Sequence, residues 1–92
     1  MRVVWTEPAD EDREQLVFYI AEDNPKAATA MDALLTKVAD SLATLPFKGK
    51  AGRVPETREL VVHKNYIIVY GYDAEAERVY IKAVLHASQK YP

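Results

Sequence analysis

The sequence predicts an α+β domain, a helical hairpin packed on one face of a small, mainly antiparallel sheet. Three observations lead there. Apolar residues recur at intervals of three and four through the first half of the chain, in two segments that each begin with a capping residue and a proline. After Pro46 the period changes to two. The period-two segments then follow one another across short turns, and strands grouped after helices belong to α+β architecture.

Arg2 to Trp5 is a short β-branched, apolar run that stops at Thr6-Glu7-Pro8, a first strand. Thr6 or Glu7 is placed to cap a helix whose first turn holds Pro8, and Asp10, Glu11 and Asp12 suit its positive N-terminal end. Arg13, Leu16, Tyr19 and Ile20 continue it at helical spacing to about Glu22-Asp23. Asn24 is the next N-cap, with Pro25 at the first helical position. From there Met31, Leu34, Leu35, Val38, Leu42 and Leu45 form one apolar stripe that Pro46 ends. Two helices joined by so few residues lie antiparallel.

Phe47 to Pro55 reads as a basic loop broken by Gly49, Gly52 and Pro55. Thr57 to Val62 reads as a strand and His63-Lys64-Asn65 as a polar connection. Tyr66 to Tyr72 is almost continuously apolar, which predicts a central strand covered on both faces. Asp73 to Glu77 is a turn, and Val79 to Leu85 alternates as the final strand. The predicted order is β-α-α-β-β-β.

Ninety-two residues are too few to divide into two self-supporting cores, so residues 1–92 are expected to form a single domain. Size scaling gives a folded surface of roughly 5,400 Å² and about 64% of the chain's surface buried, a modest core. An apolar share of 49% with 28% charged residues excludes a disordered tail. The absence of cysteine excludes a disulfide scaffold and thiolate zinc sites. No apolar run is long enough to span a membrane, and Met1-Arg2-Val3-Val4-Trp5 is too short for the apolar segment of a signal peptide. The cytoplasm is therefore the expected location.

The net charge of −2 is unevenly divided. Residues 1–46 carry 4 Lys/Arg against 9 Asp/Glu, and residues 47–92 carry 8 against 5. A general nucleic-acid binder has an overall basic balance, because phosphate neutralisation supplies most of its affinity. This chain has only a local one, in Lys48, Lys50, Arg53, Arg58 and Lys64.

On the final strand, a strict period of two separates Val79, Ile81, Ala83 and Leu85 from Tyr80, Lys82, Val84 and His86. The first set is expected to face the helices, with Lys82 and His86 on the far face. If Arg58 shares that face, a basic site results with the groups needed to hold a phosphodiester and move protons. Two histidines, His63 and His86, without cysteine or a His-Glu-x-x-His spacing argue against a metal site. Lys48-Gly49-Lys50-Ala51-Gly52 lacks the strand–loop–helix setting of a phosphate cradle, and Ser41 and Ser88 have no nucleophile-elbow context. The tyrosines are read first as strand packing, with Tyr66 and Tyr91 also able to stack on a base.

The chain resembles the ParE/RelE superfamily of type II toxin–antitoxin toxins, often described as plasmid-stabilisation proteins. The resemblance rests on Trp5-Thr6 before Ala9, Tyr19-Ile20-Ala21, Asn24-Pro25-Lys26-Ala27-Ala28 and Leu45-Pro46. It continues through Gly52-Arg53-Val54-Pro55, Thr57-Arg58-Glu59-Leu60, Tyr66-Ile67-Ile68-Val69-Tyr70, Val84-Leu85-His86, Gln89 and Pro92. It implies the β-α-α-β-β-β fold, no cofactor, and a cognate antitoxin that binds the toxin in a hetero-oligomer.

ParE-like members poison DNA gyrase, whereas RelE-like members cut mRNA on the ribosome. Ile67 stands where the nuclease members carry an arginine, and the net charge is negative, so the resemblance is closer to ParE. On that reading the chain is a binding protein, with Lys48, Lys50, Arg53, Arg58, Lys64 and Tyr91 as candidates for target or partner contact. On the alternative, nuclease reading, Arg58 and Lys82 hold phosphate, His86 transfers a proton and Glu56 assists.

Overall fold

The computed structural model describes all 92 residues. The elements are β1 (Arg2–Trp5), α1 (Glu7–Asp23), α2 (Pro25–Ser41), β2 (Lys50–Ala51), β3 (Arg58–His63), β4 (Tyr66–Asp73) and β5 (Arg78–His86). One sheet runs in the order β1-β5-β4-β3-β2; β1 is parallel to β5 and every other neighbour is antiparallel. The α+β architecture is thus the predicted one, with a two-residue edge strand, β2, inside the segment read as a loop.

Local chemistry places the helices. Thr6 Oγ1 accepts the Ala9 N–H at 3.4 Å and donates to the Ile81 carbonyl at 2.7 Å, so the cap of α1 is also its tie to β5. Asn24 Oδ1 accepts the Ala27 N–H at 3.1 Å, and each helix carries its proline in the first turn. The second helix ends at Ser41, before the predicted stop at Pro46. The N–H groups of Leu42, Ala43 and Thr44 reach back three residues instead of four, which tightens the final turn. Leu45, counted in the apolar stripe, is consequently exposed.

The helices cover one face of the sheet. Ala9, Met31, Leu35, Ala39 and Leu42 pack there against Ile68, Tyr70, Val79, Ile81 and Val84. The central β4 is buried from Ile67 to Gly71, as its unbroken apolar run predicted. The molecular surface is 5999 Å², above the roughly 5,400 Å² that mass scaling gives. A thin, elongated body of 42 × 25 × 22 Å accounts for the excess.

The final strand departs from strict alternation. Val69 pairs with Ala83 and Tyr70 with Ile81, so Lys82 is an extra residue opposite one step of β4. The bulge changes phase. Val79 and Ile81 face the helices as expected, but Ala83 and Leu85 pack with Ile67 and Val69 on the second face, and Val84 joins the helix side. The expectation that Val79, Ile81, Ala83 and Leu85 form one helix-facing set is therefore corrected. Alternation holds only where neither strand carries an extra residue.

Candidate functional site: a basic sheet edge and an exposed helix

The same bulge separates the three residues expected to form a basic site. Arg58 lies opposite Tyr70 on the helix face, where Nη1 donates to the carbonyls of Gly49 at 2.7 Å and Phe47 at 3.0 Å. Its guanidinium also lies 5.9 Å from the centre of the Tyr72 ring. Lys82 lies on the other face, beside Gly71: a Cβ on that glycine would stand 3.3 Å from Lys82 Cε and 3.4 Å from the Glu56 carbonyl. Glu56 and Lys82 thus share an open pocket with Tyr80, Asp73 and Glu75. His86 lies opposite Tyr66, back on the helix face but at the far end of the sheet from Arg58. Tyr66 and Tyr70 are four residue steps apart along β4, roughly 13 Å. Arg58, Lys82 and His86 do not meet.

Beside Arg58, Tyr70 anchors the basic loop. Its hydroxyl accepts the Gly49 N–H at 2.8 Å and donates to the Pro46 carbonyl at 2.7 Å. Burial raises its pKa above 10.0; the Gly49 hydrogen bond and the Arg58 charge oppose that shift without cancelling it. Arg53 performs a similar task on the second face. Its backbone N–H and Nε both reach Glu59 Oε2, at 2.9 and 3.4 Å, while Nη1 and Nη2 hold the carbonyls of Gln89 and Ala87. Tyr91, on the segment so held, packs against Ile67, Val69, Ala83 and Leu85. Lys48, Lys50 and Lys64 are exposed and enter no ion pair.

His86 borders an open pocket of about 400 Å³ lined by Asp12, Gln15, Tyr19, Tyr66 and Gln89. Its ring meets Tyr66 edge-on, with centroids 5.5 Å apart. The Ser88 N–H donates to His86 Nδ1 at 3.2 Å, and the Ser88 hydroxyl lies 2.7 Å from the same nitrogen. The Nδ1 lone pair is engaged by the Ser88 backbone, which ties the ring to the turn that follows β5. No group of three or more His, Asp or Glu is placed to hold a metal, and no helix is long and apolar enough to cross a membrane.

Two features escaped the sequence reading. Tyr19 follows Leu16 at helical spacing, but it is 71% exposed and Phe18 65%, while Leu16 and Ile20 pack on the core. The signal was present: five consecutive apolar residues, Leu16 to Ile20, sweep round a helix at about 100° each, so they cannot all face one way. The buried Glu59 had no comparable signal, because its partner Arg53 is fixed only by the path of the loop.

Residues 3–91 match the model of the family described as ParE toxin of type II toxin–antitoxin system, parDE. Protein Y4kP of Sinorhizobium fredii is 37% identical over 92 residues, covering 99% of this chain and 93% of that one. Toxin RelE2 of Caulobacter vibrioides is 39% identical over 88 residues, covering 96% and 97%. Among solved structures, the chromosomal ParDE system of P. aeruginosa superposes with a TM-score of 0.85 at 15% identity, over 96% of this chain and 97% of that one. The RelBE2 toxin–antitoxin complex of Mycobacterium tuberculosis gives 0.67 at 25% identity, over 92% and 95%.

Proposed function

Because the chain belongs to the ParE toxin family of type II toxin–antitoxin systems, we propose that it arrests growth by binding DNA gyrase and is neutralised by a cognate antitoxin in a hetero-oligomer. The observation that carries this reading is the dispersal of the groups a nuclease needs. Arg58 is engaged by two backbone carbonyls, Lys82 lies on the opposite face, and the His86 Nδ1 lone pair is taken by Ser88. What remains exposed is a surface suited to binding: Lys48, Lys50 and Lys64 at one sheet edge, Phe18 and Tyr19 on α1. Arg53 and Arg58 also hold backbone carbonyls, and Tyr91 packs on the second face, so these three shape the surface as well as border it. The exposed aromatic pair also supports an antitoxin partner, since covering it on association recovers apolar burial that a thin fold leaves unused.

The alternative, a ribosome-dependent mRNA endonuclease, draws support from the pocket where His86 adjoins Tyr66 and Asp12 and from the one that Glu56 and Lys82 share. Purified protein is added to gyrase with supercoiled DNA and, separately, to translating ribosomes. Accumulation of cleaved DNA with intact message is the expected result. Message cut on the ribosome, with gyrase indifferent to excess protein, overturns the proposal. His86→Ala sharpens the distinction. Toxicity should persist in a gyrase binder, whereas loss of a proton-transfer group would lower a nuclease about 10²–10⁴-fold.

A further inference from the structure

The first helix and the end of β5 enclose a pocket that holds an acid and no lysine or arginine. β1 pairs with β5 only as far as Trp5–Ile81, where the Thr6 N–H and hydroxyl both donate to the Ile81 carbonyl, at 3.1 and 2.7 Å. Beyond that point β5 has no strand on its outer side, and the Val84 N–H donates to Asp12 Oδ2 at 3.1 Å. That bond orients the Asp12 carboxylate. Asp12 enters no ion pair, and no other hydrogen bond reaches it. Around it stand Tyr19, Tyr66, His86, Gln15 and Gln89, enclosing about 400 Å³. The Tyr66 and His86 rings meet at 89°, so a ring face and a ring edge form a corner. Arg13 is the only cation of α1, and Asp32 on α2 already holds it.

That pair shows the chemistry such a pocket suits. The Arg13 guanidinium lies 4.6 Å from the centre of the Trp5 ring, while Nε donates to Asp32 Oδ1 at 2.7 Å and Nη2 to the Asp32 carbonyl at 2.9 Å. A ring face, a carboxylate and neutral oxygen acceptors match a planar cation with five donors. The pocket beside β5 offers the same set in its tyrosine rings, the Asp12 carboxylate and the amide oxygens of Gln15 and Gln89. The compact ammonium of lysine gains less from a flat wall. A nucleic acid would bring phosphate against Asp12 and the acidic surface of α1.

We infer that this pocket receives an arginine side chain from a protein partner, its guanidinium bonded to Asp12 and stacked on a tyrosine ring. The inference goes beyond the choice between gyrase and ribosome and names one contact of the acidic half of the chain. A peptide carrying the arginine suits the place better than a free guanidinium compound. Tyr19 at the rim is 71% exposed and Phe18, next to it in sequence, 65%, and only a chain leading to the arginine would cover them.

The test uses the full-length protein and an end-blocked peptide, Ala-Ser-Arg-Leu-Ala, followed by NMR. Saturable shifts are expected at the Asp12, Tyr66 and Gln89 amides. Citrulline in place of the arginine keeps the shape and removes the charge, and should weaken binding about 10-fold; lysine should weaken it about 3-fold. Asp12→Asn keeps an oxygen for the Val84 N–H and should weaken binding of the arginine peptide about 5-fold. Tyr19→Ala, at an exposed position, should weaken it about 3-fold. Melting of both variants verifies that they fold, and the citrulline comparison needs neither. No binding, equal affinity for citrulline, or binding unchanged in a folded Asp12→Asn overturns the inference. So does free arginine amide binding as tightly as the peptide, or a single-stranded oligonucleotide shifting the same resonances. Growth arrest on expression without peptide binding leaves the toxin reading standing and removes this one. Peptide binding by a chain that never arrests growth does the reverse.

Discussion

The two faces of the sheet are closed by different means. The helix face is closed by apolar area: ten buried residues from both helices, the end of α2 and the two central strands β4 and β5 share one cluster. The apolar cluster of the second face is only Ile67, Val69, Ala83 and Leu85, beneath Tyr91 and a C-terminal segment that Arg53 grips by two carbonyls. Apolar packing is non-directional and distributed, so it sets stability; a few directional bonds hold a segment in place without adding much burial. The basic edge adjoins the weakly closed face, where the loop carrying Arg53 meets β3. Most of the buried apolar area thus lies on one side of the sheet, and the other side depends on a few bonds.

That division is open to direct attack, and the largest effect belongs to the helix face. Leu35 is fully buried, so Leu35→Ala should cost about 3 kcal/mol, read as a lowered urea midpoint. On the second face, Arg53→Ala leaves the Glu59 carboxylate buried without its partner and frees the C-terminal segment. Arg53 is about one-third exposed, 35%, so solvent weakens the pair and the cost should be about 2 kcal/mol. Adding Glu59→Gln should recover part of it, and full additivity in that double-mutant cycle would refute the latch.

Tyr70→Phe cuts the one polar anchor inside the helix-face cluster, leaving the Gly49 N–H and Pro46 carbonyl without partners, and should cost about 1–2 kcal/mol near neutral pH. Its pH dependence has a definite sign. The folded-state pKa of Tyr70 is raised above 10.0, so the protonated hydroxyl contributes stability that is complete below pH 10 and lost as pH rises through the folded value. The wild type should therefore lose stability faster than Tyr70→Phe above pH 10; parallel melting curves across that range would contradict the assignment. The smallest change is Tyr91→Ala, about 1 kcal/mol with the helix-face amides unchanged in exchange rate. Protection lost on both faces together would erase the distinction between them.

Much of the architecture was legible in local signals. Thr6 and Asn24 with their following prolines marked two helix starts, because capping geometry depends on residues three positions apart. The unbroken run Tyr66 to Tyr72 marked the central strand, since only a strand covered twice is apolar on both sides. The end of α2 at Ser41 was not legible, because its last turn tightens by bonds of nearly equal worth to those it replaces.

What the sequence by itself determined was therefore the kind and order of elements, the one-sided hairpin and the membership that these features signal. What only the tertiary structure decided was which side chains meet. The extra residue at Lys82 reverses the phase of β5, sends Ala83 and Leu85 to the second face and parts Lys82 from both Arg58 and His86. The loop decides that Arg58 and Arg53 are anchors while Lys48, Lys50 and Lys64 stay exposed and without an ion pair. Periodicity reports a face only relative to a strand's own axis. A bulge or a loop path is chosen by the packing of residues far apart in the chain, and a one-residue slip moves every following side chain to the other side.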